Sequence, residues 1–134
     1  MAGHLTLAIL KPTLHRERAV GETIAAIEKA GFAILLSKLL QLLPEGAENL
    51  YSEYKDKPEY QELVQSVLHG PSWVMVLSKA NAVEEWQKIL EVLPAERAKQ
   101  IHASAHDWAA KAEINFFFNR EIRVADEVDK LSKM

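Results

Sequence analysis

Between Gln100 and Phe118 the chain reads QIHASAHDWAAKAEINFFF, and this stretch holds the side chains best suited to chemistry. His102 stands near Ser104 and His106, and Glu113 follows further along. A histidine can serve as a nucleophile, a general base or a metal ligand, and an oriented carboxylate suits all three roles. From His106 to Phe118 the residues predict a helix: Asp107 complements the positive end of a helix dipole, and Ala109, Ala110, Lys111, Ala112 and Glu113 are good helix formers. His102 is thus expected just ahead of a helix that carries Glu113 and ends in three phenylalanines. His102 and His106 have the i,i+4 spacing of a metal-binding pair, but no third ligand is evident. Residue types alone favour the plainer reading, a partly buried histidine at an element boundary.

These side chains need elements to position them. Leu5–Leu10 is a short apolar run cut off by Lys11-Pro12, which predicts a buried strand ending in a turn. Val20, Ile24 and Ile27 recur at helical spacing up to Lys29, with Gly31 as the stop. Ala33–Leu42 predicts a second strand, and Pro44-Glu45-Gly46 opens a helical stretch through Leu50 and Tyr51. After the polar break Lys55–Pro58, Glu59–His69 carries Leu63, Val64, Val67 and Leu68 on one side of a helix that Gly70-Pro71 ends. Ser72–Ser78 predicts a third buried strand, and Ala82–Leu93 a helix that Pro94 ends or bends. A short helical piece, Ala95–Lys99, leads to a fourth strand around Ile101. Val124–Met134 is a charged, weakly amphipathic tail, a terminal helix or a frayed end.

The order β-α-β-α-α-β-α-β-α favours a four-stranded antiparallel sheet with helices on one face, the ferredoxin-like plan of the α/β sandwich class. A doubly wound parallel sheet would want a Gly-rich loop after the first strand, and none is present. A chain of 134 residues suits one domain. A composition of 49% hydrophobic and 26% charged residues is that of a soluble globular protein. A net charge of −3 with no basic run speaks against a nucleic-acid partner. The absence of cysteine fits a reducing compartment. Met1-Ala2-Gly3-His4 lacks the build of a secretory signal, and Ala33–Leu43 is too broken by Ser37, Lys38 and Gln41 to span a bilayer. The expected location is cytoplasmic, with no membrane partner.

The segment from His102 to Phe118 resembles the active-site signature of nucleoside diphosphate kinases, a histidine-glycine-serine-aspartate-serine run leading into a helix with an aromatic end. The likeness extends through TLAILKPT, VGETIAAIEKAGFAIL, LYSEYKDKPEYQELVQSVLHGPSWVMVL and NAVEEWQKIL, covering residues 5–118 in order, with 119–134 as a tail. The resemblance implies transfer of the γ-phosphate of ATP or another nucleoside triphosphate to a nucleoside diphosphate, by way of a phosphohistidine. His102 would be the nucleophile, with Glu113 and Ser104 orienting it. Lys11 would contact the moving phosphate, with Tyr51 beside it. Mg²⁺ would arrive with the nucleotide, so no protein metal site is required. A homodimer is implied through the sheet edge and first helix.

The chain also departs from that family. Relatives carry a long loop before the histidine that brings a threonine and an arginine to the phosphates and helps build a trimer contact; here only Leu93–Gln100 spans the gap, so a hexamer is not expected. Arg97 and Lys99 are candidate replacement charges. A family arginine falls on Gln87, with Lys88 adjacent; a sugar-contacting asparagine falls on Lys99. The base-stacking aromatic falls on Glu59, with Tyr60 adjacent, and Ala103 and Ala105 replace the signature glycine and aspartate. Each lost charge-assisted phosphate contact costs roughly 1.5–3 kcal/mol. Two readings follow: a phosphotransferase with a pared-down site, or a catalytically impaired module of this fold kept as a protein-interaction scaffold.

Overall fold

In the computed structural model, which describes residues 3–121, four strands form one antiparallel sheet in the order β2-β3-β1-β4. The strands are β1 (Leu5–Leu10), β2 (Ala33–Leu40), β3 (Ser72–Ser78) and β4 (Ile101–Ala103). The helices are α1 (Pro12–Arg16), α2 (Val20–Lys29), α3 (Pro44–Leu50), α4 (Tyr60–Ser66), α5 (Ala82–Val92), α6 (Ala95–Ala98) and α7 (Asp107–Phe118), with a 3₁₀ turn at Ser52–Tyr54. This is the ferredoxin-like plan expected from the element order. The predicted tail Val124–Met134 lies outside the described residues.

The expectation of helices on one face is corrected: both faces are covered. Side chains alternate along a strand, so β1 supplies two cores at once. Leu7 and Ile9 join Val74 and Val76 under α3, α4 and α7, in a cluster with Tyr51, Val64, Ile114 and Phe118. Ala8 and Leu10 join Met75 and Leu77 under α1, α2 and α5, with Leu14, Ile27, Phe32 and Trp86. That is why Leu5–Leu10 reads as a continuous apolar run, each neighbour facing a different but equally dry layer.

Several boundaries also move. Lys11-Pro12 is more than a turn: Lys11 stays extended (φ −70°, ψ 163°) and Pro12 starts α1, where its missing N–H costs nothing. The helix expected over Glu59–His69 is regular only through Ser66; there the Ser66 hydroxyl donates to Leu63 O at 2.6 Å, and Val67 and Leu68 continue in three-residue turns. β2 stops at Leu40, and its pairing with β3 slips between Ile34 and Leu36, a bulge that redirects the strand. Gly31 ends α2 as expected, at φ +94°, with Phe32 N–H bonded to Ile27 O at 3.3 Å.

Candidate functional site

The parity of β1 places the first two site residues. Lys11 continues the extended backbone of Leu7 and Ile9, so its side chain falls on their face of the sheet, the one beneath α3, α4 and α7. β4 pairs with β1 in the register Ile9↔His102, and directly opposed residues share a face. His102 therefore joins Lys11 on that face, while Ile101 packs into the other core. The main chain fixes the pairing further, with Lys11 N–H donating to Gln100 O at 2.9 Å.

α7 crosses this face and brings Glu113 to His102. Nε2 of His102 lies 2.9 Å from Oε1 of Glu113, and the Ser104 hydroxyl donates to the same oxygen at 2.8 Å. A carboxylate can only accept, so Nε2 carries the hydrogen and the ring's lone pair is on Nδ1. Ser104 is itself fully buried and accepts from Leu7 N–H at 3.4 Å. His106 caps α7: Nδ1 accepts from Ala109 N–H at 3.3 Å, and Nε2 faces Glu53 at 3.3 Å. The two histidines thus serve different partners and do not converge on one point.

His102 is only 8% exposed, yet it reaches a cleft open to the surface. A cavity of about 370 Å³ is lined by Lys11, Tyr51, Tyr54, Lys57, Glu59, Leu63, Ile101, His102 and Ala103. A second, of about 330 Å³, shares Lys11, Glu59, Leu63 and Ile101 and adds Glu62, Ser66, Ala98 and Lys99. The two form one cleft with Lys11 near its middle. Tyr51 is buried, its ring 5.5 Å from the His102 ring at 75° and 5.6 Å from Lys11 Nζ. Burial pushes the Lys11 ammonium down to about 8, against the smaller opposing pull of Glu62. Burial first, then the nearby Glu113 carboxylate, pushes the Tyr51 hydroxyl upward against a smaller opposing pull from Ser66, so it stays protonated.

Of the nucleotide contacts expected from the sequence, Lys11, Tyr51 and Lys99 reach the cleft and four others lie elsewhere. Arg97 pairs with Glu22 beside a different hollow, between α2 and α5. Arg97 and Lys99 are two residues apart on one helical turn, about 200° around its axis, so they cannot serve the same side. Lys88 is exposed and pairs with Glu85 at 3.2 Å. Gln87 donates to Ser104 O at 2.8 Å and Ala105 O at 3.0 Å, so it holds the turn between β4 and α7. Tyr60 packs against the core cluster under α3, α4 and α7.

Two cleft residues, Tyr54 and Lys57, carried no assignment from the sequence. Lys57 Nζ lies 5.3 Å from the Tyr54 ring, and that ring packs edge-on to Tyr51 at 6.2 Å. The signal was the run YSEYKDK itself: once Tyr51 belongs to the site, the 3₁₀ turn that follows must run along the same rim.

The nucleoside diphosphate kinase family model matches residues 4–100. The chain is 36% identical to the nucleoside diphosphate kinase of Chlamydia abortus over 130 residues, covering 86% of this chain and 92% of that protein. It is 34% identical to that of Nitrosococcus oceani over 131 residues, covering 87% and 92%. Among solved structures, the Aquifex aeolicus nucleoside diphosphate kinase superposes with a TM-score of 0.74 at 28% identity, covering 86% of this chain and 94% of that one. The Encephalitozoon cuniculi enzyme shares the fold with a TM-score of 0.79 at 22% identity, covering 89% and 91%. Among the described residues no helix is long and apolar enough to cross a membrane.

Proposed function

The chain belongs to the nucleoside diphosphate kinase family, and from that membership we propose that it carries the γ-phosphate of a nucleoside triphosphate to a nucleoside diphosphate on His102. The observation that carries the assignment of residues is the 2.9 Å contact of His102 Nε2 with Glu113, made inside a cleft that also holds Lys11. Nδ1 attacks the γ-phosphorus in line; the P–N bond forms as the bond to the bridging β–γ oxygen breaks, and the diphosphate leaves with that oxygen. The phosphorylated ring is cationic, and the Glu113 carboxylate on Nε2–H stabilises it. A second diphosphate then enters, and the same steps run in reverse.

Charge stabilisation falls to the cations at hand. Lys11 and Lys57 line the cleft with His102 and supply the phosphate grip, with the buried Tyr51 ring packed beside them and Lys99 further along the cleft. Mg²⁺ would come with the phosphates and offset part of their charge, so it would need no dedicated set of protein ligands. We read the whole chain as one such domain acting in the cytoplasm. The scaffold alternative leaves the alignment of His102, Ser104 and Glu113 without a purpose. A homodimer is the proposed unit, since β2 is an outer strand of the sheet and Leu39 on it is half exposed.

The test is direct. Incubation with γ-labelled ATP and Mg²⁺ should give acid-labile, alkali-stable label on the protein, absent in His102→Asn, that passes to added diphosphate. No label at high protein concentration overturns the proposal.

A further inference from the structure

We propose that the hollow between α2 and α5 is a binding site for a small organic ammonium, a ligand that joins an apolar body to a positively charged amine. The hollow has a volume of about 450 Å³, which is the size of a small-molecule pocket. It lies in the helical layer on the sheet face opposite His102, and α6 stands between it and the cleft: Arg97 lines the hollow, whereas Ala98 and Lys99 line the cleft. Its floor is apolar, with Ala26 from α2 and Trp86, Ile89 and Leu93 at helical spacing along α5. The proposal does not depend on the phosphoryl-transfer reading of the cleft.

The rim sets the sign of the ligand's charge. Three carboxylates, Glu17, Glu22 and Glu96, stand around one guanidinium, that of Arg97, which is already paired with Glu22. Glu17 accepts from the Gln100 amide at 3.1 Å, and Glu96 has only a long contact, 3.9 Å, with the exposed Lys99. An anion would meet carboxylates and no free cation, whereas an amine meets carboxylates whose charge the hollow does not offset. Two polar atoms on wall residues are also unmet among the described residues: Nε1–H of Trp86, a side chain only 1% exposed, has no acceptor, and Gln100 Oε1 has no donor. Buried polar groups ordinarily have partners. An ammonium supplies donors for Gln100 and the carboxylates, and a hydroxyl on the same ligand supplies an acceptor for the indole. The floor takes the apolar body out of water.

The experiment is calorimetric binding of phenylalaninol, phenylpropanol and phenylpropanoate to the full chain. Phenylpropanol lacks only the ammonium of phenylalaninol, and phenylpropanoate reverses the charge. Phenylalaninol should bind with a dissociation constant below about 1 mM. It should bind about tenfold more tightly than phenylpropanol, the worth of one solvent-accessible charge-assisted hydrogen bond, and phenylpropanoate should bind most weakly. Ala26→Phe fills the hollow from α2 and should weaken phenylalaninol at least tenfold. Glu17→Gln combined with Glu96→Gln alters two exposed side chains and should bring the phenylalaninol/phenylpropanol ratio close to one, with the melting temperature of each variant measured alongside. No binding of phenylalaninol at millimolar concentration, equal binding of the amine and the alcohol, or a ratio that the double substitution leaves unmoved overturns the proposal. So does binding that a folded Ala26→Phe variant retains in full, which would place the amine elsewhere.

Discussion

The imidazole of His102 and the carboxylate of Glu113 meet at 2.9 Å although they come from different layers, the edge strand β4 and the helix α7 above it. One carboxylate oxygen serves both His102 and Ser104, and Ser104 is tied in turn to the main chain of β1 at Leu7. The imidazole is therefore held by a carboxylate that is itself anchored through Ser104 before any substrate arrives, which is what an oriented nucleophile needs.

Replacing Glu113 by Ala removes the partner of Nε2–H and frees the tautomer. The lost charge-assisted hydrogen bond is worth about 1.5–3 kcal/mol, so phosphohistidine formation should slow roughly 10- to 100-fold. Nucleotide affinity should change little, because Glu113 faces the ring and not the phosphates. Rapid-quench measurement of labelled protein against time reads the first quantity, and calorimetry the second. A loss confined to affinity would contradict the orienting role.

Lys11 predicts the pH dependence of binding. Burial favours its neutral form, lowering it to about 8 in the free protein, whereas a bound phosphate favours the charged form. Triphosphate affinity should therefore be nearly level below pH 7 and should weaken as pH rises through 8. The limiting slope is about tenfold per pH unit when one proton is taken up on binding. Lys11→Met should bind more weakly throughout and lose that slope. A wild-type affinity that stays flat from pH 7 to 9 would show that Lys11 does not hold the phosphates.

Much of this was legible because periodicity and register are local. The alternation of Leu7, Ile9 and Lys11, together with an apolar run on both sides of each residue, already implies one face for Lys11 and a sheet covered twice. The one-face expectation failed because strand-helix order fixes topology without saying which side each crossover takes. Arg97 and Lys99 could not be sorted from the sequence either: that depended on Ala95–Ala98 closing a helical turn, which four residues after a proline specify only weakly. Gln87 was assigned by alignment to the phosphates, and only the fold brings the β4–α7 turn within its reach.

Gln87 should behave as a positioning residue. Its amide donates to Ser104 O and Ala105 O, so Gln87→Ala leaves two carbonyls short of a partner. The expected cost is about 1–2 kcal/mol, a melting temperature lower by several degrees. Because the same turn carries Ser104 toward Glu113, the rate of phosphohistidine formation should fall more than nucleotide affinity does. Thermal unfolding followed by circular dichroism, with single-turnover kinetics alongside, measures both.

The cations separate into two groups by position, and substitution should separate them again. Lys57 and Lys99 line the cleft, whereas Lys88 and Arg97 are held by Glu85 and Glu22 outside it. Lys57→Ala should weaken triphosphate binding roughly 3- to 10-fold, a partly solvated contact being worth about 1 kcal/mol or somewhat more. Lys99→Ala should act in the same direction and more weakly, since it stands farther from His102 along the cleft. Lys88→Ala and Arg97→Ala should leave affinity within about twofold, as exposed ion pairs contribute at most ~1 kcal/mol and do so away from the phosphates. Raising the salt concentration should shrink the Lys57 effect, because an accessible charge is screened over a distance of about 8 Å at physiological ionic strength. Triphosphate binding measured for the four variants at two salt concentrations decides the matter: a larger loss from Arg97→Ala than from Lys57→Ala would place the phosphates on the wrong side of α6.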